Sequence, residues 1–246
     1  MAIPKIIHYC WFGKKETQPK LVRECIASWS KLDDYQIYEW NESNFDPGPS
    51  SFFAHMMATK RYGFASDIVR LTSLYRMGGI YLDSDVEVKK KFPESILLHQ
   101  AFMSFMFDSI LGTAVIGAEA QSPLIGKLLD HYRNLEDLQS PSNNIFTRFF
   151  LEEFPEFRLN NKFQVLRDNV AIYPKEYFDC PTYNREMGYT VHHGLGSWFR
   201  NDKSPASFLR AGTKLVLGNV IYSKLSRYRG LKVSPFYKTY QEHTRD

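Results

Sequence analysis

Hydrophobic spacing changes period twice within the first forty residues. Residues 3–9 form a short apolar run that reads as a buried strand. Leu21, Cys25, Ile26 and Trp29 then recur at helical spacing, and Gln36-Ile37-Tyr38-Glu39-Trp40 reads as a second strand before a polar loop over 41–49. Strand, helix, strand in this order predicts a parallel βαβ unit and an α/β chain. Further on, Ser66 is the expected helix N-cap, Ile68, Leu71, Leu74 and Tyr75 supply an apolar face, and Gly78 supplies the residue beyond the helix end. That helix feeds directly into Ile80-Tyr81-Leu82-Asp83-Ser84-Asp85-Val86-Glu87-Val88, read as one strand entered through Gly78-Gly79. Apolar segments at 101–107 and 112–117, helices at 123–133 and 143–153, strands at 163–166, 170–173 and 188–193, and a helical stretch after Pro205 complete the pattern. There is no internal repeat and no linker long enough to divide domains. The expected organisation is one catalytic domain over 1–204, with a helical segment over 205–246 packed on it.

Composition narrows the class. Hydrophobic residues at 43% and charged residues at 24% of 246 suit a soluble globular chain with a substantial core. The three cysteines, Cys10, Cys25 and Cys180, are odd in number and lack a C-x-x-C spacing, which argues against a disulfide framework and a zinc site and for a reducing, cytoplasmic setting. The first residues read straight into a strand, without the apolar core or cleavage site of a signal peptide, and no run approaches bilayer length. Net charge is +4 but unevenly placed: residues 200–232 hold eight Lys and Arg against Asp202 alone. Between Phe208 and Tyr228 these bases are interleaved with Leu209, Leu215, Val216, Leu217, Val220, Ile221, Tyr222 and Leu225, the pattern of an interfacial amphipathic helix. The expected partner of 205–232 is an anionic membrane surface. Nucleic acid is not expected, since the stretch lacks the stacking pattern of single-strand binders.

Chemistry concentrates at the acidic strand. Alternation along a strand sends Asp83 and Asp85 to one face and Ser84 to the other. Two carboxylates at a strand's carboxyl end can hold a hard divalent cation, and such a cation can hold a diphosphate. A bare Asp-x-Asp arises often by chance, but the crevice beyond the strand ends is where open α/β sheets bind ligands. Asp67 and Arg70 lie one turn apart on the preceding helix; their plain role is a surface ion pair, their functional one an acceptor and a donor fork for sugar hydroxyls. His192-His193-Gly194-Leu195-Gly196-Ser197-Trp198 offers one metal-ligating imidazole, adjacent strand residues facing opposite ways, and glycines that admit a phosphate. Trp11, at the end of the first strand, either packs in the core or stacks on a nucleobase.

Together, Ile7-His8-Tyr9-Cys10-Trp11-Phe12-Gly13, Phe64-Ala65-Ser66-Asp67-Ile68-Val69-Arg70, the Gly78 to Asp85 string and the His192 to Trp198 block resemble the DXD-motif glycosyltransferases. These include the capsular-polysaccharide and mannosyltransferase family 32 enzymes and, more distantly, the large glucosylating toxins. The match in order and spacing covers roughly residues 3–200. The resemblance implies a GT-A fold, a Rossmann-like nucleotide-binding sheet with flanking helices. It also implies a nucleotide-sugar donor, Mn2+ or Mg2+, and retention of anomeric configuration. Carried over, it sets Trp11 on the base, Asp67 and Arg70 on sugar hydroxyls, Asp83 on ribose and sugar, Asp85 on the metal, and Ser197 and Trp198 on the diphosphate. Aligning on Trp198 selects His193 as a further metal ligand, whereas the family's usual His-His-Ser-Trp spacing leaves His192 open. Asn143 and Asn144 sit where relatives place an amide near the donor sugar. Asp83, Asp85, Asp67, Arg70 and Trp198 are thus the expected catalytic set.

The expected activity is hexosyl transfer, from a UDP-sugar by preference, to a glycan or lipid-linked glycan of capsule or lipopolysaccharide at the cytoplasmic membrane face. Charge developing on the leaving diphosphate needs a cation and fixed donors but no protein base in a front-face mechanism; a double displacement through a carboxylate is the other route. Alternatives are a metal-dependent phosphohydrolase or nucleotidyltransferase, and a non-catalytic nucleotide-sugar-binding module. The first of these commonly needs a second acidic cluster, and none is evident beyond Glu87.

Overall fold

The computed structural model describes residues 2–133, 140–195 and 205–245, with the side chains of the last segment given from residue 218. Strand β1 (Ile6–Cys10), helix α1 (Lys20–Ser28) and strand β2 (Gln36–Trp40) form the expected parallel unit, with Ile6 opposite Gln36 and Cys10 opposite Trp40. Helix α2 (Ser51–Ala58) follows, its first turn capped by the Ser50 hydroxyl, which accepts from the Phe53 N–H at 3.1 Å. Helix α3 (Tyr62–Met77) then leads into β3 (Gly79–Leu82), parallel to β1, and the short β4 (Val86–Val88) leaves the main sheet. Strands β5 (Ala101–Phe107) and β6 (Ile110–Ala118) make an antiparallel hairpin, followed by helices α4 (Pro123–Arg133) and α5 (Ser142–Glu153). Next come β7 (Gln164–Leu166), β8 (Val170–Tyr173), α6 (Lys175–Phe178), β9 (Thr190–His192), α7 (Pro205–Val233) and α8 (Tyr237–His243).

Seven strands form one mixed sheet in the order β2-β1-β3-β6-β5-β8-β7, while β4 and β9 pair antiparallel as a separate ribbon. Alternation in β3 divides the core between the two faces: Tyr81 packs with α3, α4 and α5, whereas Ile80 and Leu82 pack with Trp29, Phe92 and Phe178.

Helix α3 begins five residues earlier than expected. Tyr62 packs near Phe12, with ring centroids 5.8 Å apart, so tertiary contact extends the helix, and the Ser66 hydroxyl, instead of capping, donates to the Gly63 carbonyl at 2.6 Å. Its far end is as read: the Gly78 N–H donates to the Leu74 carbonyl at 2.8 Å and Gly78 turns the chain at φ +65°. The glycine pair is sterically required. A Cβ on Gly78 would lie 2.6 Å from the Ala120 nitrogen, and one on Gly79 would lie 2.6 Å from the Ile6 carbonyl oxygen. The Pro205–Val233 run is likewise broken at Gly218, whose φ of 73° and ψ of 159° are not helical.

Buried His8 locks the β1–β3 junction. Its Nδ1 accepts from the Trp40 indole at 3.2 Å, and since an indole nitrogen only donates, Nε2 carries the proton and donates to the Gly78 carbonyl at 2.8 Å. Burial lowers its pKa to about 4, against the opposing effect of the Gly78 bond. The unfolded chain therefore binds the proton first, so this contribution is complete above about pH 6.5 and is withdrawn as pH falls toward 4, by up to about 3 kcal/mol. We expect His8→Leu to be about 1–3 kcal/mol less stable than the parent at pH 7.5, with the deficit shrinking by pH 4.5. Urea unfolding at both pH values checks this; a deficit constant with pH would refute it.

Candidate active site

Asp83 and Asp85 converge, but not by strand alternation. Strand β3 ends at Leu82, and a tight turn follows in which the Val86 N–H donates to the Asp83 carbonyl at 3.0 Å. The turn, not a continuous strand, sets the two carboxylates side by side beyond the carboxyl end of β3. The Asp83 N–H is held by the Ala114 carbonyl at 2.8 Å, and the Asp85 carboxylate accepts from the Leu195 N–H at 2.8 Å.

Asp67 and Arg70 are not a surface pair. Helix α3 is buried from Asp67 through Leu74, and the two side chains are 0% and 1% exposed. Arg70 Nη2 donates to Asp83 Oδ1 at 2.8 Å, its Nη1 lies 3.5 Å from Asp67 Oδ1, and its guanidinium sits 4.8 Å over the Tyr81 ring. Among the described residues, neither carboxylate oxygen of Asp67 meets a hydrogen-bond donor in good geometry, and Nε and Nη1 of Arg70 meet no acceptor. Burial pushes Asp67 up to about 7, with the Arg70 charge opposing. It also raises Asp83, again against Arg70, while the neighbouring Asp85 charge adds to the rise. In this arrangement Arg70 joins Asp67 to Asp83 from within the fold.

The two histidines diverge as adjacent strand residues must. His193 Nε2 lies 3.2 Å from Glu87 Oε2, away from the acidic turn. His192, brought in by the β4–β9 ribbon, places Nε2 3.5 Å from Asp85 Oδ1 and Nδ1 3.2 Å from Asp179 Oδ1. The Asp179 carboxylate is 4% exposed and pairs through its other oxygen with Arg227 on α7. Burial opposes the charged imidazolium, but the hydrogen bonds to Asp179 and Asp85 raise His192 well above its ordinary value. Burial likewise opposes ionisation of Asp85, but His192 outweighs it and holds the carboxyl down to about 2.

Asp83, Asp85 and His192 present ligand atoms all within 4.8 Å of one another, the one such group among the described residues. Charges alternate in sign from Asp67 through Arg70 to Asp83, and from Asp85 through His192 and Asp179 to Arg227. Along these two rows, two negative groups meet only between Asp83 and Asp85. Two carboxylates and an imidazole suit a divalent cation such as Mn2+, and the doubled negative charge is what such an ion neutralises.

Trp11 is half-buried just past β1, next to β3 in the parallel sheet, and its indole N–H reaches the Lys14 carbonyl at 3.4 Å. Asn143, in the first turn of α5, donates to the Leu111 carbonyl at 2.8 Å, and Asn144 donates to the Ser140 hydroxyl at 3.3 Å. Both amides thus bond within the protein. Ser197 and Trp198 lie outside the described residues. Asp179 and Arg227 were not singled out in the sequence: no motif marks them, and they meet His192 only because α6 ends against β9 and α7 crosses back over β5.

Residues 2–115 match the family model described as capsular polysaccharide synthesis protein. An uncharacterised glycosyltransferase of Acanthamoeba polyphaga mimivirus is 24% identical over 214 residues, covering 80% of this chain and 84% of that protein. Among solved structures, the PaToxG glycosyltransferase superposes with a TM-score of 0.50 at 21% identity, covering 63% of this chain and 70% of its own. The mixed sheet with its flanking helices and its acidic turn is a GT-A fold, and the chain is similar to glycosyltransferases over most of its length and to the capsular polysaccharide synthesis family over residues 2–115.

Proposed function

We propose that this chain transfers a hexose from a nucleotide-diphosphate sugar, a UDP-sugar by preference, to a glycan or lipid-linked glycan of a surface polysaccharide. In this reading anomeric configuration is retained and Mn2+ or Mg2+ is required. The observation that carries the reading is the meeting of Asp83, Asp85 and His192 at the carboxyl edge of the sheet. A cation held by Asp85 and His192, with Asp83 beside it, supplies positive charge to the departing diphosphate. The protein's part is to keep those groups fixed. Asp179 accepts a hydrogen bond from His192 Nδ1, so a cation that displaced the Nε2 proton would meet an imidazole already oriented beside Asp85. Arg70 holds Asp83 from below and the Leu195 N–H holds Asp85 from the side. In this reading Trp11, just past β1, stacks on the base, and Ser197 and Trp198 touch the diphosphate. No side chain is then needed as base, because a departing phosphate oxygen can take the acceptor's proton.

Support for a membrane-surface location comes from the C-terminal part of α7. Ile221, Leu225 and Tyr228, spaced four and three apart, are 47%, 50% and 57% exposed, with Lys224, Arg229 and Lys232 among them. This is an apolar stripe with a basic margin, suited to the anionic cytoplasmic leaflet. No helix among the described residues is long and apolar enough to cross a membrane.

Three outcomes test the proposal. Asp85→Ala should lower manganese-dependent transfer from UDP-glucose and related donors by at least about a hundredfold, measured as radiolabelled sugar incorporated into polysaccharide precursors; undiminished turnover would sink it. Asp179→Asn should weaken manganese binding about 10–100-fold, read by titration calorimetry on a variant whose circular dichroism shows it folded, and parental manganese affinity would refute the role of Asp179. Sedimentation with phosphatidylserine vesicles should weaken as salt rises and with Ile221→Glu combined with Leu225→Glu, and indifference to both would exclude the membrane contact.

A further inference from the structure

A cavity of about 600 Å³ opens between the 181–194 segment and the C-terminal part of α7, within the volume range of small-ligand sites. His192 and His193 form part of its wall, so the cavity begins where the acidic turn ends. None of Trp11, Asp67, Arg70, Asp83, Asn143 or Asn144 lines it. It therefore adjoins the donor side without coinciding with it.

The lining has the chemistry of a sugar site. Tyr183 stands 74% exposed at the cavity, and Tyr222 faces it from α7, giving two aromatic surfaces for the apolar faces of a pyranose. Asn184, Asn219 and Ser223 add amides and a hydroxyl, groups that both donate and accept as sugar hydroxyls require. Helix α7 turns this polar side inward while its apolar stripe faces out, which accounts for a reversal of polarity that core packing alone does not need. Charge is present too. Lys89 is matched by Glu87 and Arg227 by Asp179, but Lys90 and Arg185 meet no carboxylate among the described residues.

We propose that this cavity is the acceptor site and that it takes a sugar carrying a phosphate, with Lys90 and Arg185 reading the phosphate. The proposal rests on the glycosyl-transfer reading above. From this side, an acceptor hydroxyl oxygen forms the new bond to the anomeric carbon of the nucleotide sugar. The bond from that carbon to the diphosphate oxygen breaks, its electron pair stays with the diphosphate, and the hydroxyl proton passes to that oxygen.

The test is equilibrium binding of glucose 1-phosphate and of glucose to the full chain, with UDP and manganese saturating so that the donor side is filled. Glucose 1-phosphate should bind at least about tenfold more tightly than glucose. Arg185→Glu should erase that difference, and Tyr183→Ala should weaken both sugars several-fold. Both residues lie at the cavity surface, and unchanged circular dichroism would show that the variants fold. A chain that binds UDP but binds neither probe overturns the proposal, as does glucose 1-phosphate affinity untouched by Arg185→Glu. Failure of UDP itself to bind, measured in the same samples, counts against the donor reading, and loss of glucose 1-phosphate binding in Arg185→Glu without UDP would still support the pocket.

Discussion

The buried Arg70 guanidinium is the constraint from which the site follows. A cation with 1% exposure is tolerable only with anions around it, and here Asp67 lies on one side and Asp83 on the other. Arg70 cannot leave its place without stranding charge in the core, so α3 is held against β3 at a fixed height. Asp83 is thereby fixed too, and the turn it opens must project into the crevice. Among the described residues, part of the guanidinium and both Asp67 oxygens are without a hydrogen bond of good geometry, so charge is the main hold on the cluster. Such a cluster sits close to a functional surface more readily than in an ordinary core, because something beyond stability must account for it.

A second row of charges runs the opposite way. It starts from Asp85 and passes through His192 and Asp179 to Arg227, joining the acidic turn to a helical residue more than thirty positions beyond β9. Each member is oriented by the next, so the ring beside Asp85, held at both nitrogens, has little freedom to rotate. The two rows meet at Asp83 and Asp85, the one place along them where neighbours share a sign. The donor edge and the cavity beside α7 therefore share one electrostatic axis.

Much of this was legible in the sequence, for identifiable reasons. The βαβ start, the Gly78-Gly79 entry and the Asp83/Asp85 pair all rest on local rules of period, turn and spacing, and each held as an element. The convergence of the aspartates was anticipated from strand alternation, whereas a turn produces it: both put residues i and i+2 on one side, so the right neighbours followed from the wrong backbone. Burial was not legible. Asp67 and Arg70 at three-residue spacing look like any exposed helix pair, and only the packing of α3 among β1, α2 and α4 shows that they are inside. The choice between His192 and His193 also depended on tertiary structure, since the β4–β9 register decides which imidazole turns toward Asp85. Asp179 and Arg227 carry no local pattern, because their role exists only across long separations.

The two-stranded ribbon of β4 and β9 has a consequence for the order of assembly. The Leu195 N–H bonded to the Asp85 carboxylate closes a loop of 110 residues. The entropy of such closure grows only slowly with length, about 0.6 kcal/mol for each doubling, so the penalty is bearable once the intervening sheet exists. Contacts of this range nevertheless form late in folding. The acidic turn can therefore emerge and take its local shape well before its histidine arrives. The chemistry of the edge is withheld until the second half of the chain has wrapped back onto the first.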